Sequence, residues 1–152
     1  MDHCEITKTE INVPHINSLV KSSKAGSIIV FEGTTRDTYN GHQVLHLSYE
    51  CYEPMAKLEL QKLITRAKAL FDCLNIAIVH RFGQVSVGET SVCVAVGSVH
   101  RADGFNAAVY IMDEIKARLP IWKKEHLSDG SAWKQNPEFA TTVSKLDNFD
   151  CA

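Results

Sequence analysis

Two Val- and Ile-rich runs, Asn75 to Phe82 and Ser91 to Val99, lie only a short segment apart, and that closeness limits the fold more than any other feature. Both are of strand length and bounded by turn residues. A parallel return needs a crossover of a dozen or more residues, whereas an antiparallel return needs only a turn. Val85 to Glu89 reads as a strand edge and turn between them. In the second run Val92, Val94 and Val96 face one way, and Cys93, Ala95 and Gly97 face the other. Neighbouring strands joined by turns imply an α+β arrangement with antiparallel pairing rather than a doubly wound sheet.

The remaining chain fits that class. Glu5 to Ile11 reads as a short strand, and Pro14 to Ser22 as a short helix with proline near its first turn. Gly26 to Glu32 is an apolar run of strand length. Thr34 to His42 is polar, and Asn40-Gly41 is a strong turn signal. Gln43 to Tyr52 alternates, placing Leu45, Leu47, Tyr49 and Cys51 on one face. Pro54 to Phe71 is the longest helical pattern, with Met55, Leu58, Ala67, Leu70 and Phe71 among its apolar positions. Ile121 to Leu127 and Ser131 to Gln135 read as short strands split by Asp129-Gly130. A single domain over 1–152 is expected, with a small β appendage and a polar segment over 136–152 that orders against a partner.

Asp103 to Leu119 reads as a helix, with Asp103 as N-cap and Pro120 as the stop. At about 100° per residue, Phe105, Ala108, Val109, Met112, Ile115 and Leu119 share a stripe, and Lys116 falls inside it. Ala107, Glu114 and Arg118 fall on the opposite, solvated face. A lysine aimed at a core must snorkel, meet an anion or lose its proton. Desolvated among cations it would have a lowered pKa and could act as acid, base or nucleophile. The plain alternative is a boundary lysine paired with Asp113.

More cations flank this helix. His100 and Arg101 precede it, where backbone N–H groups favour an anion and arginine adds a bidentate fork. Lys123 and Lys124 follow it in a strand, so they face opposite ways: Ile121, Lys123 and Glu125 on one side, Trp122, Lys124 and His126 on the other. Arg36 lies in Gly33-Thr34-Thr35-Arg36-Asp37, whose glycine and hydroxyls could serve a phosphate. Together these point to a pocket for an anionic ligand.

Composition removes several other classes. The formal net charge of −2 gives no reason for bulk nucleic-acid binding, so anion recognition has to come from local clustering. No apolar run reaches membrane-span length, and Asp2 and Glu5 near the start fit neither a secretory signal nor a basic transit peptide. Five cysteines at irregular spacing, with no CxxC, fit reduced thiols in a cytosolic protein better than a disulfide framework or zinc site. His42 and His46 lack a third metal ligand nearby, and Cys51 fits a buried thiol better than a nucleophile. No GxSxG, Walker or GxGxxG pattern occurs.

In order, these residues resemble the large, catalytic subunit of molybdopterin synthase. The pieces are GSIIVFEG (26–33) with Arg36, LSYECY (47–52) with Met55-Ala56, His80-Arg81-Phe82-Gly83, Gly88-Glu89, Val99-His100-Arg101, and Lys116 through Pro120-Ile121-Trp122-Lys123-Lys124-Glu125 to Trp133. The resemblance implies an α/β-hammerhead type fold and a dimer of large subunits, each carrying a small ubiquitin-like sulfur carrier, in a heterotetramer. It implies a cytosolic sulfurtransferase of molybdenum cofactor biosynthesis that converts cyclic pyranopterin monophosphate to molybdopterin. Both sulfurs come from the carrier's C-terminal thiocarboxylate, with no metal or other cofactor on the large subunit. By position, Lys116 and Lys123 would be catalytic. Arg36, His100, Arg101, Lys116, Lys123, Lys124 and Glu125 would bind substrate. Two rivals remain at this point: a non-catalytic module holding an anionic metabolite or a partner's C-terminal tail, and a metal-dependent hydrolase using the histidines.

Overall fold

The computed structural model describes residues 1–135, and the polar segment expected over 136–152, with Cys151, lies outside the described residues. In chain order the elements are β1 (His3–Thr7), α1 (Val13–Leu19), β2 (Ser27–Thr34), β3 (Thr38–Tyr39), β4 (His42–Cys51), α2 (Glu53–Leu70), β5 (Cys73–Arg81), β6 (Gly83–Ser86), β7 (Thr90–Ser98), α3 (Arg101–Arg118), β8 (Ile121–Leu127) and β9 (Ala132–Gln135).

The two Val- and Ile-rich runs pair as antiparallel neighbours, with Ile76 opposite Val96 and His80 opposite Val92. They form the centre of a four-stranded sheet ordered β1-β5-β7-β2. The expected α+β class holds, with one addition: β1 joins β5 in parallel. Strand β1 also starts earlier than expected, because Asp2 accepts the Ile76 N–H at 2.9 Å and fixes the start of that pairing. The two faces of β7 divide as its alternation requires. Val92, Val94 and Val96 enter the main core with α2 and α3. Cys93 and Ala95 enter a smaller core with Ile11, Ile16 and Val20 around α1.

Helix α1 carries Pro14 in its first turn, and Asn12 caps it by accepting the His15 N–H at 3.1 Å. It lies very close to the sheet: a Cβ on Gly97 would stand 2.5 Å from the Val20 carbonyl oxygen.

A second, five-stranded sheet runs β3-β4-β8-β9, with β6 also paired to β4. The Asn40-Gly41 turn closes the β3–β4 hairpin, with both residues at positive φ (49° and 79°) and Tyr39 opposite His42. The strand edge and turn read over Val85 to Glu89 is in the structure β6, over Gly83–Ser86. It leaves the sheet of β5 and β7 and pairs with β4 from His46↔Ser86 to Tyr49↔Gly83. The alternation expected along β4 also breaks. A register shift between Val44 and His46 buries Val44 and leaves Leu45 exposed.

Both long helices are rotated from the sequence reading. In α2 the buried residues are Ala56, Leu60, Leu63, Ile64 and Ala67, while Met55, Leu58 and Leu70 are exposed. In α3 they are Gly104, Ala107, Ala108, Ile111 and Ile115. Ala107 is therefore core and not solvated, whereas Phe105 and Val109 are exposed (56% and 62%). The cause is close approach, since a Cβ on Gly104 would stand 2.9 Å from both Ile29 Cγ1 and Ser98 Oγ. Only the small-residue face of α3 can sit that near the sheet. The helix also begins earlier than expected, with His100 and not Asp103 at the N-cap.

Gly97→Ala sets a new methyl against backbone that cannot rotate away. Urea unfolding should show a loss of about 1–3 kcal/mol, the usual cost of overpacking a tight core.

Candidate active site

A cavity of about 510 Å³ opens where the two sheets meet α3. The first sheet supplies Phe31, Gly33 and Thr34 from β2, His80 from β5, and Ser91 and Val92 from β7. Helix α3 and the link after it add Met112, Ile115, Lys116 and Leu119. The second sheet adds Tyr49 from β4 with Ile121 and Lys123 from β8, and Arg36 comes from the β2–β3 loop. The deep wall is buried, whereas Arg36 and Lys116 are exposed residues that form the rim.

Each rim cation is held by local structure. A bulge at Gly33/Thr34 ends the β2 ladder and turns the chain toward the loop. Thr35 is then pinned, donating its N–H to Glu89 O at 3.1 Å and accepting from Gly88 N at 2.9 Å. Arg36 projects from that anchored residue. Lys116 stands in the last turn of α3, where Ile115 and Leu119 fix the helix to the core. It is exposed and not buried in the core stripe. No ion pair with Asp113 forms. Among the described residues, neither Lys116 nor Arg36 has a carboxylate partner.

Lys123 lies opposite Tyr49 in the β4–β8 ladder. Its Nζ is 3.4 Å from Glu125 Oε1, and the Glu125 carboxylate is buried with Oε2 lacking a hydrogen-bond partner. Glu125, Lys123, Arg36 and Tyr49 also border a smaller hollow of about 80 Å³ beside the main cavity. The alternation read along β8 therefore holds, and Lys124 lies exposed on the other face, outside both linings.

His100 and Arg101 do not line the cavity. They stand at the N-terminus of α3, and Arg101 is about 22 Å along the helix axis from Lys116. The candidate set therefore divides into a near group (Arg36, Lys116, Lys123, Glu125), a far pair (His100, Arg101) and one residue turned away (Lys124).

The deep wall contains groups to which the sequence reading gave no role. Tyr49 has its pKa raised, chiefly by burial; a hydrogen bond with Ser91 lowers it and the Glu125 charge raises it. Tyr49 and His80 meet edge to face, with ring centroids 5.3 Å apart. His80 is pushed down to about 4 by burial, against a smaller upward effect of its bond to the Arg81 backbone. The available signal was a histidine inside a Val- and Ile-rich strand, where a polar side chain has to find a partner.

Elsewhere, Cys51 packs against the main core, and burial followed by the Glu53 charge pushes its thiol up to about 11. His46 stacks on His126 at 4.2 Å, and no cluster of three or more metal-ligand side chains occurs among the described residues. No described helix is long and apolar enough to cross a membrane.

Fold and cavity together define an α+β protein with a cation-rimmed pocket suited to an anionic ligand. Residues 6–118 match the family model described as MoaE protein. The chain is 48% identical over 130 residues to the molybdopterin synthase catalytic subunit of Arabidopsis thaliana, covering 86% of this chain and 66% of that relative. It thus spans just under two thirds of that relative's length. The structure of molybdopterin synthase from Staphylococcus aureus superposes with a TM-score of 0.82 at 30% identity, covering 86% of this chain and 95% of that one. A complex of subunits 1 and 2 of molybdopterin-converting factor from Helicobacter pylori shares the fold at a TM-score of 0.69 and 21% identity, covering 83% and 86%. The chain belongs to the MoaE protein family.

The buried His80 ring has a consequence for stability. Its folded pKa of about 4 lies below the ordinary 6.5, so the unfolded chain binds a proton first as pH falls. Stability contributed by the neutral ring is complete above about pH 6.5 and declines toward pH 4, by up to about 1.4 kcal/mol per pH unit. Urea midpoints at pH 7 and pH 5 should show that decline in the wild type and a shallower one in His80→Gln.

Proposed function

We propose that this chain is the catalytic subunit of a molybdopterin synthase, transferring sulfur to cyclic pyranopterin monophosphate from the thiocarboxylated C-terminus of a small ubiquitin-like carrier. The observation that carries the proposal is the cavity rim: Arg36, Lys116 and Lys123 converge on one pocket from a loop, a helix end and a strand. A cyclic phosphate and an incoming thiocarboxylate are both anions, and fixed cations meet them at little reorganisation cost. The sulfur nucleophile arrives with the carrier, so the chain itself needs neither a reactive cysteine nor a cofactor. The raised thiol of Cys51 agrees with that division of labour.

In this reading Lys116 meets the thiocarboxylate and moves a proton at the attacked carbon. Lys123, held beside the Glu125 carboxylate, stabilises negative charge on the phosphate or the departing oxygen. Arg36 binds the phosphate. We place the activity in the cytosol, where the free thiols of Cys4, Cys51, Cys73 and Cys93 stay reduced.

A dimer of large subunits accounts for the far pair. Phe31, Phe105 and Val109 are exposed along the open edge of β2 and the neighbouring face of α3. A two-fold axis through the middle of that face buries them against a second copy and runs the two α3 helices in opposite directions. The His100-Arg101 end of one copy then approaches the Lys116 end of the other, and each pocket draws cations from both chains.

Dithiolene formation from cyclic pyranopterin monophosphate and thiocarboxylated carrier tests the whole reading. Lys116→Ala and Lys123→Ala should each lower the rate by about 100-fold or more. Product made at wild-type rate by either variant would remove that lysine from catalysis, and no product from the wild type would leave a binding module. Mixing Arg101→Ala with Lys116→Ala subunits should restore activity in mixed dimers, which contain one intact composite pocket. Mixtures no more active than their components would refute the shared pocket.

A further inference from the structure

We infer that His80 determines specificity in this cavity: its Nε2 accepts a hydrogen bond from an N–H or O–H donor on the substrate's heterocycle, while the rim cations take the phosphate. The inference rests on the synthase reading for the identity of the substrate, and on geometry for the role of the residue.

The geometry begins with the backbone. His80 Nδ1 lies 2.8 Å from the carbonyl oxygen of Arg81. A carbonyl can only accept, so Nδ1 carries the proton and Nε2 keeps its lone pair. His80 shares the β5 face of Ile76 and Ile78, which points it toward the main core and the cavity it helps to line. A T-shaped contact with the Tyr49 ring holds its orientation. His80 is only 6% exposed, and among the described residues no hydrogen bond reaches its Nε2. Ser91, on the same wall, already donates its hydroxyl to the Gly33 carbonyl oxygen at 3.1 Å. The wall thus offers a fixed, uncharged acceptor beside Tyr49 and Val92, opposite a rim of cations.

That polarity selects for chemistry. A ligand with a phosphate at one end and ring N–H or hydroxyl donors at the other satisfies both parts. One that turns an acceptor toward Nε2 leaves two lone pairs facing each other in a buried place. Burial also keeps the imidazole uncharged near neutral pH, so it positions the ring without serving as a proton donor.

Two measurements on the full chain with its carrier test the assignment. In steady-state assays His80→Leu should raise KM for cyclic pyranopterin monophosphate about tenfold, the effect of one lost buried hydrogen bond. Inhibition by inorganic phosphate should stay unchanged, and His80→Gln, whose Oε1 can accept, should recover most of the loss. A KM within about twofold of wild type, or an equal loss of phosphate affinity, overturns the role. The second measurement follows the ¹⁵N resonance of His80 Nε2 while a phosphate-free pterin is added. A shift toward hydrogen-bonded values supports the inference even if the wild type makes no dithiolene, an outcome that would count only against the synthase reading. An unmoved resonance with pterin bound defeats the inference, whatever the outcome for sulfur transfer.

Discussion

Strand β7 is buried on both faces and paired on both edges, and the rest of the molecule is arranged around it. Its two faces are unequal in size. Three valines fill one side, each contributing about 1.5–3 kcal/mol through burial. Cysteine, alanine and glycine line the other, where α1 lies almost on the backbone. That asymmetry decides which helices go where. It also decides the site, because near its start, at Ser91 and Val92, the strand leaves the core and becomes the wall of a cavity. The geometry of the candidate site is continuous with core packing.

Much of the architecture was legible because it depends on local signals. Strand β8 appears over the span its sequence indicates, the Asn40-Gly41 turn closes a hairpin, and β7 alternates as read. What escaped was pairing between distant segments. Nothing local in Gly83 to Ser86 says that it leaves its neighbours for β4, or that β1 lies parallel to β5. The bulge that buries Val44 in place of Leu45 is likewise set by the partner strand β8.

The helices teach a narrower lesson. Ranking positions by hydrophobicity turned α3 toward Phe105 and Val109, but contact distance favours the smallest residues, so Gly104, Ala107 and Ala108 face the sheet. The lysine that looked misplaced in the core instead ends an exposed stripe and meets a cavity at its edge. Cations clustered around one helix do mark a cavity, but only Arg36, Lys116 and Lys123 of the expected cations line it. His80 was legible as a motif but not as a role, because its tautomer is set by a backbone carbonyl that sequence cannot place.

Strand β6 gives the cavity a mechanical character. The chain leaves the first sheet at Gly83, spends four residues paired to the second, and returns to begin β7. The two walls of the pocket are thereby stitched together, and parting them would break a ladder on β4 that has β8 on its other side. A cleft stitched this way resists hinge opening and keeps its width when empty. Water is then displaced by what enters rather than by walls that move, so the shape of any ligand has to match a cavity already formed.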